Sequence, residues 1–377
     1  MKPILSAEFS GIHLGEDVEF YSTGTFGYRY GGANQNYRFP SVSPKIWPKG
    51  FTPKISSKEY DYQFTGGLRG EIADAWHWDL STTWGLDDNE MGTIDTVNNS
   101  LVAATGTSPT GFLAGKFIAS QWTSNLDLSR EFDIGLSAPL NVAFGGEYRR
   151  ETFEIEAGEP LALFGGGIQA YPGFAPTDAA RHDRDSYSAY IDVAFAPIEN
   201  LQLDVAGRYE HYSDFGSATV GKLTARYDFT PAFALRGTVS TGFRAPTLAE
   251  EFYSATTVSP TTAGVRLPPN NAAAALLGIA PLDAEKSTNF SLGAVFTPSS
   301  RFNATLDAYQ ITINDRIVST GLIYGKQNNV IRSPAVTAAI IANGNNLDPT
   351  VITTSISTFG SYGINGGYYY GKIAFNF

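Results

Sequence analysis

The sequence predicts an all-β protein, an antiparallel transmembrane β-barrel with short periplasmic turns on one rim and long extracellular loops on the other. Three observations indicate this fold. Runs of alternating apolar and polar residues extend over about 11 to 14 positions, whereas strands in ordinary sheets hold about five or six. The connections between these runs alternate between short and long. The chain also finishes on an aromatic strand-like run, INGGYYYGKIAFNF, at residues 364–377.

The alternation is clearest in the middle of the chain, at residues 185–243. A strand of this length, tilted by about 45°, covers the hydrocarbon thickness of a bilayer. We therefore predict that the apolar face of each strand meets lipid and that the polar face lines the lumen. The lipid-facing set includes Val193, Phe195, Leu201, Val205, Leu223 and Tyr227, and the lumen-facing set includes Gln202, Asp204, Arg208, Lys222 and Arg226.

The connections fall into two kinds. Tight turns of a few residues alternate with segments of about 28 to 46 residues, a length that is uncommon between strands of compact soluble domains. Only the connection around Gly216 is a short member of the second kind. The pattern predicts about 13 strands, at residues 4–10, 16–30, 60–71, 75–87, 116–131, 138–155, 185–197, 200–213, 218–230, 233–243, 285–298, 301–317 and 364–377.

Composition excludes several other classes of protein. Hydrophobic residues make up 42% of the chain, and no stretch approaches the roughly 20 apolar residues that a spanning helix needs. The absence of cysteine excludes disulfides and thiolate metal sites. A net charge of −11 argues against nucleic acid as a partner, because phosphates would repel the protein. We expect outer-membrane lipid to be the surrounding partner.

Several motifs occur in a fixed order in the second half of the chain. The segment LRGTVSTGFRAPTLAEE occupies residues 235–251, PLDAEKS occupies residues 281–287, and INDRI occupies residues 313–317. In the first of these, proline lacks the N–H that a strand ladder needs and restricts the residue before it, so the strand should end there. The motif residues, for which we expect a structural role, are Gly242, Phe243, Arg244, Ala245, Pro246, Glu285, Lys286, Asp315, Arg316 and the terminal Phe377.

These motifs, with the aromatic terminus, resemble those of TonB-dependent outer-membrane receptors over nearly all of residues 185–377. The resemblance implies a protein of the cell outer membrane that takes up a scarce nutrient, most often a ferric siderophore, with TonB as a partner. It also implies about 22 barrel strands, a plug domain and a TonB-contacting box. Since about 13 strands are predicted and neither the plug nor the box is recognisable, we expect residues 1–377 to form a single, shortened barrel domain.

Another interpretation remains open at this point. A soluble or surface all-β protein of the lectin or adhesin kind could also carry alternating strands and long loops that bind a glycan. For a receptor, the expected ligand is a small molecule such as a ferric chelate, since aromatic faces and arginine forks suit planar anions. The candidate ligand-binding residues are Tyr28, Tyr30, Tyr37, Arg38, Arg149 and Arg150.

Patterns typical of enzymes are lacking. No HExxH, GxSxG or phosphate-loop pattern occurs, so we predict no enzyme activity, no cofactor and no metal site. Two short runs contain residue types that a catalytic or metal site would need. Residues 181–185, RHDRD, could pair an imidazole with a carboxylate, and residues 87–90, DDNE, could hold a hard cation such as Ca²⁺. We expect both to be solvated segments near strand ends.

Overall fold

The structure is a computed structural model that describes residues 4–15, 17–73, 75–258, 262–299, 301–342, 352–362 and 366–376. Its wall is a sheet of 13 antiparallel strands in which each strand pairs with the next wall strand along the chain. The elements, in chain order, are β1 (Ile4–His13), β2 (Val18–Asn34), β3 (Lys54–Ile72), β4 (Trp76–Ile94), α1 (Asn99–Thr105), β5 (Gly111–Phe132), β6 (Ala138–Ala157), α2 (Pro160–Leu163), β7 (Ala180–Ile198), β8 (Leu201–Tyr212), β9 (Gly216–Thr230), β10 (Phe233–Arg244), α3 (Leu248–Phe252), β11 (Ala255–Val258), β12 (Thr262–Arg266), α4 (Ala272–Ala275), β13 (Glu285–Ser299), β14 (Phe302–Asn314), β15 (Arg316–Ser319), β16 (Ile323–Gln327), β17 (Val330–Ile331), α5 (Pro334–Ala342), β18 (Thr353–Ser357), β19 (Phe359–Tyr362) and β20 (Gly366–Asn376).

The 13 wall strands, β1 to β10 with β13, β14 and β20, confirm the predicted strand order. Several extend further than predicted, and the longest, β5, has 22 residues. The pairing of strands continues beyond the part of the wall whose outer face is apolar. In this outer part the outward-facing residues are charged, for example Lys58 of β3 and Glu90 of β4. Alternation of polarity marks only the part of a strand with two different environments, so it predicts the strand core better than its ends.

One predicted strand, at residues 301–317, is divided in two. Asp315 has a φ of 56°, a left-handed conformation that breaks the ladder and that Asp tolerates better than most residues. The chain leaves the wall there: β14 pairs with β13 and β20, whereas β15 pairs with β19 outside the wall. Phe377, the last residue of the predicted terminal strand, lies outside the described residues.

The two faces of the wall separate as predicted. Val205, Leu223 and Val239 are register partners on one face, and each exposes at least 40% of its surface. On the opposite face Lys222 pairs with Asp204 at 2.9 Å and with Asp192 at 3.5 Å. An exposed apolar face opposite an ion-paired face is the arrangement of a wall between lipid and a polar lumen.

Polar bridges that cross an intervening strand identify the inner face. Tyr190 of β7 donates to Asp127 of β5 at 2.6 Å, passing over Gly145 of β6. Tyr21 over Gly67 to Asp79, and Arg236 over Gly293 to Asp307, repeat this arrangement. Hydrogen bonds between side chains two strands apart recur on this face, as expected where the sheet curves towards them, so the polar face is the concave one.

The long connections lie at one rim of the wall and fold against one another. Trp47, in the loop at residues 35–53, donates its indole N–H to the carbonyl of Thr96. The hydroxyl of Thr96 in turn donates to the carbonyl of Gln169, in another long loop. The two longest connections build a separate sheet in the order β11-β12-β18-β16-β17, in which β12 and β18 are parallel. We call this sheet, with α4 and α5, the cap. Its buried core is formed by Val265, Leu267, Ala273, Ala274, Val336, Ala339, Ile340 and Ile356.

Two apolar stretches within the long connections, at residues 272–277 and 335–342, contain the short helices α4 and α5, which pack on the cap sheet. Among the described residues, no helix is long and apolar enough to cross a membrane.

Candidate functional site

The barrel mouth, at the rim of the long connections, is filled by an aromatic cluster. Phe117 of β5 and Phe153 of β6 point inward from the wall, and Phe174 and Tyr253 reach them from two different loops. The ring centroids of Phe117 and Phe174 are 4.7 Å apart, and those of Phe117 and Tyr253 are 5.8 Å apart. The cluster therefore joins the wall to the loops at residues 158–179 and 245–284.

The segment at residues 245–254, which carries α3, crosses the mouth; we call it the lid. Leu248 is buried in the aromatic cluster, and Phe252 stacks face to face on His182 with centroids 3.8 Å apart. A cavity of about 350 Å³ lies between Leu248 and inner-wall residues that include Gln121 and Glu151. The lid thus borders the space through which a ligand from outside would enter the lumen.

The first lid anchor is Arg244, at the end of β10. Its guanidinium makes two hydrogen bonds to Glu285 of β13, at 2.9 and 3.1 Å, and two to Glu250 of α3, at 2.8 and 3.1 Å. Glu250 also accepts from the backbone N–H of Thr247, which completes a capping box at the start of α3. A planar guanidinium suits this double fork, because it presents its donors in fixed directions.

The second anchor is Arg184 of β7, which is 2% exposed. It donates to Asp214 at 2.5 Å, to Glu251 of α3 at 3.0 Å and to the carbonyl oxygen of Pro246 at 2.7 Å. Glu151 of β6 is a third carboxylate, 3.7 Å from the same guanidinium. Three carboxylates around one buried cation leave an excess of negative charge, and a buried charge without a partner is costly.

This excess of negative charge raises the proton affinity of one carboxyl group of the lid, that of Glu251. Burial and the neighbouring Asp214 raise the pKa of Glu251 to about 7, although Arg184 favours its ionised form. The group lies outside the hydrocarbon, because the outward-facing neighbours at this level, Arg150 and Asp183, form an ion pair. At neutral pH the lid is therefore held to the wall by Glu251, a carboxyl group whose pKa is close to the pH.

A larger cavity, of about 620 Å³, opens on the inner wall near the short turns. Three of its carboxylates bind groups of the wall itself: Asp127 accepts from Tyr190, Asp79 accepts from Tyr21, and Glu19 pairs with Arg69. The mouth is the better candidate for ligand capture, since it combines long loops, aromatic rings and the lid.

The structure does not bring the six predicted ligand residues together. Tyr28, Tyr30 and Arg150 point to the outer face, in line with residues such as Trp84 and Trp122. Tyr28 packs on Tyr60 with centroids 5.1 Å apart, and Arg150 pairs with Asp183 at 2.9 Å. Aromatic residues at this level form an interfacial girdle, as is typical of outer-membrane barrels.

The remaining three predicted ligand residues lie at or inside the mouth. Tyr37 and Arg38 are in the loop at residues 35–53, where Arg38 donates to the carbonyl of Asn36 and, among the described residues, pairs with no carboxylate. Arg149 points inward from β6 and binds Glu147 at 2.6 Å. Its Nε is buried without a hydrogen-bond partner.

The motif residues lie around the first anchor. Gly242 and Arg244 face inward, where their register partners are Ser287 and Glu285, and Phe243 pairs with Lys286 on the outer face. Glu285 also accepts from the backbone N–H of Ile317, next to Arg316 and Asp315. Ala245 and Pro246 begin the lid. Residues that are far apart in the sequence thus meet where β10, β13 and β15 join.

The residues of both runs, 87–90 and 181–185, are divided between the two faces of the wall. In residues 87–90, Asp87 and Asn89 face inward, whereas Asp88 and Glu90 face outward and bind Lys116 and Lys58. In residues 181–185, His182 and Asp183 lie on opposite faces. Within the described part of the chain, one group of three carboxylates lies close together, Glu59, Asp61 and Asp87, and Arg29 binds Glu59.

Sequence reasoning missed Arg184 and Glu251 as a pair. Both belong to segments that were singled out, RHDRD and the LAEE after the GFRAP motif, but they are 67 positions apart. The only indication in the sequence was that Arg184 is a charged residue directly before a predicted strand. The sequence did not identify Glu251 as its partner, because which side chains meet across the barrel depends on how the strands pair.

Comparison with known proteins identifies the fold. A family model described as TonB dependent receptor-like, beta-barrel, matches residues 11–372. An iron-regulated outer membrane virulence protein of Vibrio cholerae is 25% identical over 207 residues, which are 52% of this chain and 28% of that protein.

Solved structures agree. The ferric enterobactin receptor of Pseudomonas aeruginosa superimposes with a TM-score of 0.58 at 12% identity, covering 99% of this chain and 59% of that receptor. The RagAB peptide transporter superimposes with a TM-score of 0.57 at 13% identity, covering 84% of this chain and 40% of that one. The chain thus spans little more than half the length of the first and less than half of the second.

Proposed function

The chain belongs to the TonB-dependent receptor-like β-barrel family of the bacterial outer membrane, and from that membership we propose that it captures a ferric siderophore at its mouth. Membership removes the alternative of a soluble, lectin-like protein. The iron-regulated relative and the enterobactin receptor support iron chelates as the ligand class. The observation that supports the proposal is an aromatic cluster at the mouth, with Arg149 on the inner wall and Arg38 in a loop of the same rim.

The proposed ligand contacts are Tyr37 and Arg38 on the first long loop and Arg149 on the inner wall. Ferric chelates of the catechol class are anionic and carry planar rings, so guanidinium groups and aromatic faces complement them. The Arg149 side chain is 27% exposed, so part of its guanidinium can be reached by such a ligand. Arg150, by contrast, belongs to an outward ion pair.

The proposal is tested by titrating the purified protein in detergent with ferric enterobactin and following the fluorescence of its five tryptophans. The double variant Arg38→Ala, Arg149→Ala should lose at least about tenfold in affinity, because each charge-assisted hydrogen bond contributes about 1.5–3 kcal/mol. Arg150→Ala is the matched control and should bind like the wild type. Equal affinities for the double variant and the wild type would exclude these contacts, and no binding of ferric chelates would exclude the ligand class.

Energised uptake through TonB is proposed on family grounds alone. We expect iron accumulation from a ferric chelate in cells that carry the whole protein, and its loss in cells that lack TonB. Accumulation that is unchanged without TonB would contradict this part of the proposal.

A further inference from the structure

The lid is joined to the wall by contacts that differ in their dependence on protons. At Arg244 one guanidinium faces two carboxylates, Glu250 and Glu285, both of which lie at the rim. At Arg184 the cation is almost fully buried and faces three carboxylates. A carboxylate with no cation of its own is stable in such a place only when a proton neutralises part of the charge.

We propose that residues 245–254 form a gate over the barrel mouth, held closed by the Arg184 cluster and loosened when the Glu251 carboxyl in that cluster loses its proton. The proton belongs to the carboxyl of Glu251, which lies beside Asp214. Its release to solvent leaves two adjacent carboxylates in a buried site with one guanidinium between them. Their repulsion favours the position in which α3, and Glu251 with it, has moved into water.

The groups that face Glu251 account for the direction of the effect. Arg184 of β7 attracts the ionised form, and Asp214, in the turn after β8, opposes it. Glu151 of β6 adds a third negative charge, 3.7 Å from the same guanidinium. His182 of β7 stacks on Phe252 of the lid, and burial lowers its pKa, so it is neutral at and above neutral pH. Arg244 acts on the neighbouring Glu250 instead.

The closed gate binds the proton more tightly than the open gate, since the pKa of Glu251 is about 7 when closed, against an ordinary value of 4.5. Closing is therefore favoured at low pH. The ratio of open to closed gate should rise with pH between about 5 and 7, by up to about tenfold per unit, and level off above about 7. A fixed structural ion pair would give no such change.

The gate position can be followed by spin labels, because the chain contains no cysteine. One label is placed on the lid at Ala249→Cys and another on the wall at Thr219→Cys, which points outward. Distance distributions are measured in lipid vesicles between pH 5 and 8.5, without any ligand. We expect the open population to grow with pH. This readout is independent of the proposed siderophore, so either proposal can fail alone.

Three variants separate proton uptake from a general loosening. Glu251→Gln keeps a hydrogen-bonding side chain but cannot ionise, so the gate should stay closed at every pH. Asp214→Asn removes the repulsion, so the open-to-closed ratio should level off at a lower pH than in the wild type and its total rise should be smaller. Glu250→Gln, the adjacent control, weakens the Arg244 anchor and should leave the pH dependence intact.

The proposal is overturned if the wild-type distances do not change with pH. It is also overturned if Glu251→Gln keeps the wild-type pH dependence, or if Asp214→Asn opens the gate as far at high pH as the wild type does. Should Glu251→Gln fail to fold, the smaller rise expected for Asp214→Asn decides by itself.

Discussion

Single residues decide how closely the strands and loops approach one another. Gly145 leaves room on the inner wall for the ring of Tyr190 and the carboxylate of Asp127, which hydrogen-bond across it. A methyl group there would stand 2.6 Å from Asp127 Oδ1 and from the carbonyl oxygen of Leu126. Since one of these atoms is backbone, the crowding cannot be relieved by a rotamer change alone.

We expect Gly145→Ala to lower the free energy of unfolding by about 1–3 kcal/mol, the usual cost of overpacking. Gly207→Ala is the control, because the added methyl would be 4.0 Å from its nearest neighbour, the carbonyl oxygen of Val220. It should change stability by no more than about 0.5 kcal/mol. Urea unfolding in lipid vesicles measures both. Equal stabilities would show that the Tyr190 bridge does not constrain the wall.

At the scale of elements, each wall strand is defined by the contrast between its faces. On β8, Val205 and its partner Leu223 on β9 point outward, while Asp204 and its partner Thr224 point inward. Because of this contrast, an introduced charge affects stability differently at neighbouring positions of the same strand. A charge that is acceptable in the lumen is destabilising one residue further along, because it faces hydrocarbon.

We predict that Val205→Lys destabilises the barrel by about 2–4 kcal/mol if Val205 lies near the bilayer midplane. The matched variant Thr224→Lys places the same charge on the inner face, opposite Asp204, and should be nearly neutral. Unfolding in vesicles compares the two. A larger loss for Thr224→Lys would reverse the assignment of the faces.

The cap is an element with its own core, built from connections that are far apart in the chain. Ile356 of β18 is fully buried against residues of β12, α4 and α5. Leu267 and Ile340 are equally enclosed. A unit this small has little stability to lose, since folded domains are only marginally stable.

Ile356→Ala should therefore cost about 2–5 kcal/mol and unfold the cap while the wall stays intact. Limited proteolysis would then cut within residues 255–284 and 316–342. Ile331→Ala, a change at a residue of the same sheet that is 67% exposed, is the control and should resist like the wild type. Loss of the wall together with the cap would show that the two are one cooperative unit.

For the whole molecule, the wall of 13 strands accounts for the behaviour expected in detergent. The wall strands between β1 and β20 pair on both sides. Such paired strands keep their form in lipid and in mild detergent, where an unpaired backbone group costs several kcal/mol. We expect an unheated sample to migrate differently from a boiled one on a denaturing gel. Identical migration would contradict a folded membrane barrel.

The sequence by itself determined the number and order of the wall strands, the two faces of each strand and the rim that carries the long loops. These features are local: a period of two along the chain reflects two environments, and turn residues mark where it stops. The motif resemblance identified the family from residues such as Gly242, Arg244 and Pro246. It also directed attention to the segment that the structure shows as the lid.

Only the tertiary structure decided how the loops and the site are assembled. The parallel pairing of β12 with β18 joins segments that local pattern cannot relate. The Arg184 cluster unites β6, β7, a turn and α3, and the outward direction of Tyr28, Tyr30 and Arg150 follows from register. A shift of register by one residue would reverse every side chain. Contacts between distant segments depend on such pairings, which cannot be predicted from the residues next to a position in the chain.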